Sequence, residues 1–230
     1  MLFSCATPAS ARGKRSGRLR QLLALITAPT LALFAGLALA QQTLPLSASS
    51  DIHWRVYRSG PMAHLGHSHV IRAAAIRGTV TLRESPQHSQ FLLEIPVHRL
   101  EVDPPALRRR YGVEFSSKLS QADIAGTRAN MLGQSLLQAD RFPVIRMTGE
   151  APLKDTPEPQ QMLIAAELQL RGRTIALRLP ATVTLTATGV RASGNFTLSH
   201  RQLGLKPFSA ALGTLKVAER IDFTFDIQTK

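Results

Sequence analysis

At 230 residues, 44% hydrophobic and 19% charged, the chain is long enough to bury a sizeable core and too apolar to be disordered throughout. Its single cysteine, Cys5, excludes an intrachain disulfide framework and a cysteine-ligated zinc site, and an aromatic content of 5% argues against a stacking platform for nucleic acid. Lys plus Arg number 28 against 15 Asp plus Glu, a formal net charge of +13.

The first 40 residues read as an export signal. Arg12, Lys14, Arg15, Arg18 and Arg20 form a basic start without an acid, Leu22 to Ala40 is almost wholly apolar, and the stretch closes on Ala38-Leu39-Ala40. Cleavage is predicted after Ala40, releasing residues 41–230 to the periplasm or the exterior. An uncleaved anchor is the alternative, disfavoured by Pro29 and the small residues at the end. The signal holds five of the 28 basic residues, which leaves residues 41–230 at +8 and free of cysteine. That charge fits either a soluble basic surface or transient contact with an anionic membrane, and Arg108-Arg109-Arg110 is its one basic run.

Period-two alternation then dominates. Ile52, Trp54 and Val56 share one face of a first strand; Ile76, Gly78, Val80 and Leu82 follow, then Phe91, Leu93, Ile95 and Val97. After Val144 to Thr148 come Met162, Ile164, Ala166, Leu168 and Leu170, a short turn at Arg171-Gly172-Arg173, and Ile175, Leu177 and Leu179, which together read as a hairpin. Val183, Leu185 and Ala187 form a further strand, Gly189 turns the chain into Ala192, Gly194, Phe196 and Leu198, and Ile221, Phe223, Phe225 and Ile227 close it. The fold class is all-β, an antiparallel barrel of about eight strands.

Residues 104–140 break the pattern as a helical insertion. Pro104-Pro105 opens one short helix through Arg109. Ser120 and Asp123 form a capping box for a second, along which Ile124, Thr127, Arg128 and Met131 fall at helical spacing before Gly133 stops it.

Chemistry-bearing groups are few. His64, His67 and His69 cluster, and on one strand His67 and His69 would face the same side and could chelate a metal. With Gly60 upstream the cluster resembles the first metal motif of cupins, yet Arg72 to Ala75 stand where the acid is expected, and further ligands would have to come from His53, His88, His98 or His200. Glu101 and Asp103 read as a solvated turn ahead of the double proline. No Gly-x-Ser-x-Gly elbow, cysteine nucleophile or phosphate loop occurs, so no enzyme activity is expected. A barrel of this size either fills with side chains or holds one small ligand. The apolar face mixes Gly78, Ala166, Ala187 and Gly194 with four phenylalanines, which leaves both readings open.

Several segments, in order, resemble the YceI-like, or polyisoprenoid-binding, family. They are Asp51 to Val56, Gly66-His67-Ser68-His69-Val70-Ile71, Arg141-Phe142-Pro143-Val144-Ile145-Arg146, and Leu168-Gln169-Leu170-Arg171-Gly172-Arg173-Thr174, with Ile124 to Leu132 similar to the helical insertion of one branch. The resemblance implies an exported, lipocalin-like barrel whose apolar lumen holds a polyisoprenoid or another long-chain, fatty-acid-like amphiphile, without a cofactor and without nucleic acid. It would place Trp54, Ile71, Phe91, Leu93, Met131, Ile164, Leu168, Phe196, Phe223 and Phe225 against the chain and His67, His69 and Arg128 near its polar head. Burial of ten methylenes would contribute on the order of 8 kcal/mol before ordering costs. The alternatives are a histidine-ligated metal or haem protein using His67 and His69, and a structural β-domain with a filled core.

Overall fold

The computed structural model describes residues 41–154, 156–186 and 189–230, without the side chain of Ala211; the predicted signal and Ala187 lie outside the described residues. All described elements fall within one compact unit, so residues 41–230 carry their own core.

The alternating segments form a single 12-stranded antiparallel sheet among the described residues. In chain order its strands are β1 (Gln42–Pro45), β2 (Asp51–Ser59), β3 (His69–Ala73), β4 (Arg77–Leu82), β5 (Ser89–Pro96), β6 (Leu100–Val102), β7 (Val144–Ala151), β8 (Gln160–Leu170), β9 (Arg173–Thr186), β10 (Gly189–Ser199), β11 (Ser209–Ala210) and β12 (Leu215–Gln228). They pair as β1-β4-β5-β7-β8-β9-β10-β12-β2-β3-β6, with β11 added to β12. A bridge between Leu46 and Thr229 ties the end of β1 back to the end of β12 and curls the sheet into a half-barrel.

The lipocalin-like class stands, but the strand count exceeds the expected eight or so. β1, β3, β6 and β11 are 4, 5, 3 and 2 residues long, too short to show a clear period. Conversely, the two runs read on either side of Pro180 are one strand, β9. The β10 ladder reaches Thr182↔Ser193 and stops short of Pro180, which has no N–H to give.

Where the pattern is clean the register follows it. In β8, Ile164, Ala166, Leu168 and Leu170 are buried while Leu163, Ala165, Glu167 and Gln169 are exposed. The β8–β9 hairpin turns through Arg171 at φ 51° and Gly172 at φ 71°, the paired positive values of a type I′ turn. Across β5–β7, Phe91 pairs with Gly149, and a Cβ on Gly149 would come within 2.6 Å of the Phe91 ring and 2.4 Å of the Ala165 carbonyl oxygen. Only glycine lets that ring lie flat on the sheet.

Both helices of the insertion are present as α1 (Pro105–Arg108) and α2 (Gln121–Leu132). Ser120 Oγ accepts from the Asp123 N–H at 3.1 Å and Asp123 Oδ2 accepts from the Ser120 N–H at 2.8 Å, completing the capping box, and Gly133 is the C-cap. Met131, Leu137 and Ala139 pack with Val97, Leu100, Val102, Leu170, Leu203 and Ile221, so the insertion covers one end of the half-barrel. The other end closes on Leu153, Leu179, Val183 and Val190.

Candidate functional site

The curled sheet and the insertion surround a cavity of about 1010 Å³. Trp54, His67, His69, Ile71, Phe91, Leu93, Met131, Ile164, Leu168, Phe196, Phe223 and Phe225 all line it. Arg128 does not: its Nη2 donates to the His98 carbonyl oxygen at 2.7 Å instead. The small residues Gly78, Ala166 and Gly194 are also absent from the lining. Gly194 lies opposite Phe225, where an added Cβ would come within 2.8 Å of the ring, and Ala166 packs in the core. The lumen therefore owes its shape to large side chains laid over small ones.

Its walls are apolar because period two turns every second residue of β2, β8, β10 and β12 inward. Trp54, Phe223 and Phe196 are register partners on β2, β12 and β10. Phe223 stacks on Phe196 at 5.0 Å between ring centres and 6° between planes, and lies 5.9 Å from Trp54. The three rings make a continuous aromatic shelf, suited to slide against a flexible chain. At the closed end Ser89 Oγ is buried without a hydrogen-bond partner among the described residues.

Polar groups gather where the lining residues are exposed, at Leu65, Asp123, Asn130, Lys206, Phe208 and Lys216, which marks this rim as the mouth. His67, His69 and Thr127 stand just inside it. β3 begins at His69, so His67 precedes the strand and the two rings do not share a strand face; their centres are 6.3 Å apart and nearly perpendicular at 77°.

Behind the histidines lies an acid that the sequence reading put in solvent. Asp103 is 2% exposed, at φ 53°. Its Oδ2 accepts from His69 Nδ1 at 2.6 Å, and its Oδ1 accepts from the Val70 N–H at 2.9 Å and Arg108 Nη1 at 2.7 Å. Arg108 also donates to the Ser68 carbonyl at 2.6 Å and to Ser117 Oγ at 2.9 Å, and Ser117 Oγ is 3.2 Å from His67 Nδ1. Burial pushes the Asp103 carboxyl up, but His69, the Val70 N–H and Arg108 outweigh it and hold the carboxyl below its ordinary value. With Nδ1 on Asp103, the His69 ring turns Nε2 toward Thr127 Oγ1 at 3.4 Å, at the mouth.

Together these hydrogen bonds form a network that positions both histidines. Among the described residues no three His, Cys, Asp or Glu side chains converge as a ligand set. Of the distant histidines, His53 is buried between Asp51 and the Tyr111 hydroxyl, His200 lines the lumen with Nδ1 on the Glu219 carbonyl at 3.1 Å, and His88 and His98 are exposed.

A second buried acid stands on the opposite side of β12 from Phe223. Burial pushes the Asp222 carboxyl up, yet Arg220 and the Tyr57 and Thr197 hydroxyls outweigh it and hold the pKa at about 2, below the ordinary carboxylate range. A folded pKa below the unfolded one means the unfolded chain takes up the proton first. The resulting stability is therefore full above about pH 4 and lost as pH falls toward about 2, an expected loss of about 2 kcal/mol from this group. Urea midpoints between neutral pH and pH ~3 test this, with Asp222→Asn expected to flatten the acid limb.

A match to the YceI-like domain spans residues 47–229. Among solved structures, the chain is similar to a polyisoprenoid binding domain from Saccharophagus degradans implicated in plant cell wall breakdown, at 13% identity and TM-score 0.55, over 81% of this chain and 97% of that one. It is also similar to Burkholderia cenocepacia BcnA, at 10% identity and TM-score 0.53, over 78% of this chain and 96% of that one. No curated protein matches the chain in sequence.

Proposed function

The chain belongs to the YceI-like family, and on that premise we propose that it is an exported, non-catalytic carrier that holds the apolar tail of a polyisoprenoid or similar long-chain amphiphile in its lumen. The observation that supports this most is the cavity of about 1010 Å³, whose walls are mostly apolar and whose charged lining residues include Asp123, Lys206 and Lys216 at the mouth. Such a cavity matches a ligand with one long apolar body and one polar end. The polyisoprenoid binding of the S. degradans domain, which shares the fold, points the same way. The polar head would sit beside His67, His69 and Thr127, and the tail would run along the Trp54–Phe223–Phe196 shelf toward Leu153 and Val183.

Export follows from the basic and apolar signal before Gln41, so N-terminal sequencing of the protein recovered from its producing cell is expected to begin at Gln41. The lumen is tested by displacement of a fluorescent fatty acid with saturated alcohols of increasing length. Each methylene is worth ~0.8 kcal/mol when buried, so affinity is expected to rise about fourfold per carbon until the lumen is full. A flat dependence on chain length contradicts the carrier.

A further inference from the structure

The mouth carries an apolar surface that extends beyond the lumen to Met62 and Leu212. Leu212 is 107% exposed, Leu65 58%, Phe208 41% and Met62 37%. These side chains belong to two segments fastened together. β11 pairs with β12 through Ser209↔Lys216 and Ala210↔Leu215, a tight hairpin with Leu212 at its tip. The Met62 N–H donates to the Thr214 carbonyl at 2.9 Å and the Val217 N–H to the Phe208 carbonyl at 2.9 Å, which places the Met62–Leu65 turn beside the hairpin.

Leu212 stands out twice. It is a branched side chain wholly in solvent, and its backbone takes φ 56°, the left-handed region that such residues avoid. Neither feature serves the core, so the hairpin holds Leu212 outward at a cost to the fold. Both charged side chains of residues 206–218 are lysines. Lys206 and Lys216 are exposed on the hairpin's flanks and make no ion pair among the described residues. The acids of this region are engaged: Glu114 lies 3.7 Å from Arg58, Asp123 caps α2, and Glu219 accepts from the Arg201 N–H. Leu65, Lys206, Phe208 and Lys216 also line the cavity, so this surface is continuous with the mouth.

We propose that the Met62–Leu65 turn and the Phe208–Lys216 hairpin dock on an anionic lipid bilayer, seating the mouth of the lumen on the membrane. Apolar tips enter the boundary between headgroups and acyl chains while flanking lysines meet the anionic heads. A projecting tip with four exposed apolar side chains is far smaller than the roughly 20–30 residues a side of a stable protein–protein interface. The purpose, passing a chain between membrane and lumen, rests on the carrier reading above; the docking itself does not.

The test is co-sedimentation of residues 41–230 with vesicles of phosphatidylcholine alone and of phosphatidylcholine and phosphatidylglycerol in equal parts. The protein is expected to sediment with the anionic vesicles at low salt and to be released by high salt. Phe208→Asp with Leu212→Asp is expected to weaken this at least about tenfold, and Lys206→Glu with Lys216→Glu to abolish the preference for anionic vesicles. Circular dichroism should be unchanged in both, because all four side chains are exposed, and Met62→Asp with Leu212→Asp, which alters only side chains outside the cavity lining, should lose vesicle binding while loading a fluorescent fatty acid in solution as the wild type does. Absence of wild-type binding, or equal binding by the variants, overturns the docking. So does sedimentation equilibrium showing that Leu212→Asp dissolves a dimer that never bound vesicles. A chain that sediments but never loads contradicts the carrier and leaves the docking standing.

Discussion

Phe223→Lys is expected to abolish retention of a long-chain lipid while leaving the sheet intact. Phe223 occupies the centre of the aromatic shelf, between Trp54 and Phe196. Lysine there removes the ring and places an ammonium in an apolar wall with no acid beside it. An unpaired buried charge costs several kcal/mol, so affinity should fall by more than about a hundredfold. Leu93→Lys, on β5 and also lining the lumen, should act the same way from another wall. Lipid titration followed alongside circular dichroism checks both. A folded Phe223→Lys variant that binds chains as the wild type does would show that the chain never enters the lumen.

Arg108→Ala is expected to cost about 3–5 kcal/mol of stability, the largest effect of any single substitution outside the lumen. It strands the Asp103 carboxylate, whose side chain is 0% exposed, with only His69 and the Val70 N–H for partners. It also frees the Ser68 carbonyl and Ser117, and with Ser117 the support of His67. Asp103→Asn should cost a similar amount by leaving Arg108 buried without its counter-ion. Asp103→Asn with Arg108→Met should restore much of the loss, since the double replacement leaves no orphan charge and asparagine tolerates φ 53° and can still accept from the Val70 N–H. Urea unfolding of the three variants checks the cycle. A cost under about 1 kcal/mol for Arg108→Ala would place the pair in solvent.

What the sequence made legible follows from periodicity and local chemistry. β8 with its strict alternation, the positive-φ turn at Arg171-Gly172 and the Ser120–Asp123 capping box all depend on residues within a few positions of one another. Strands of two to five residues fall below the length at which a period can be seen, which hid β1, β6 and β11. Pro180 reads as a break, yet it sits where one neighbouring ladder has already ended. The site divides the same way. Inward aromatics were readable from alternation and the family resemblance together, and they line one cavity. Asp103 was not, because its partners His69 and Arg108 come together only through β3 and α1, and an acid before two prolines looks like an exposed turn. Arg128 shares a helical face with Met131 in sequence, but a long side chain at the edge of that face reaches the His98 carbonyl. The rim formed by Met62, Leu65, Phe208 and Leu212 left no trace in sequence, since nothing local ties residue 62 to residue 214.

The central claim, an apolar lumen that carries a long-chain lipid, is tested most directly by native mass spectrometry of the protein purified from its own host. The predicted result is a protein ion carrying one long-chain lipid, released on collisional activation, with the same tail mass retained by His67→Ala with His69→Ala and lost in Phe223→Lys. A wild-type protein that carries no lipid but holds a stoichiometric metal, lost in the double histidine variant, would contradict it.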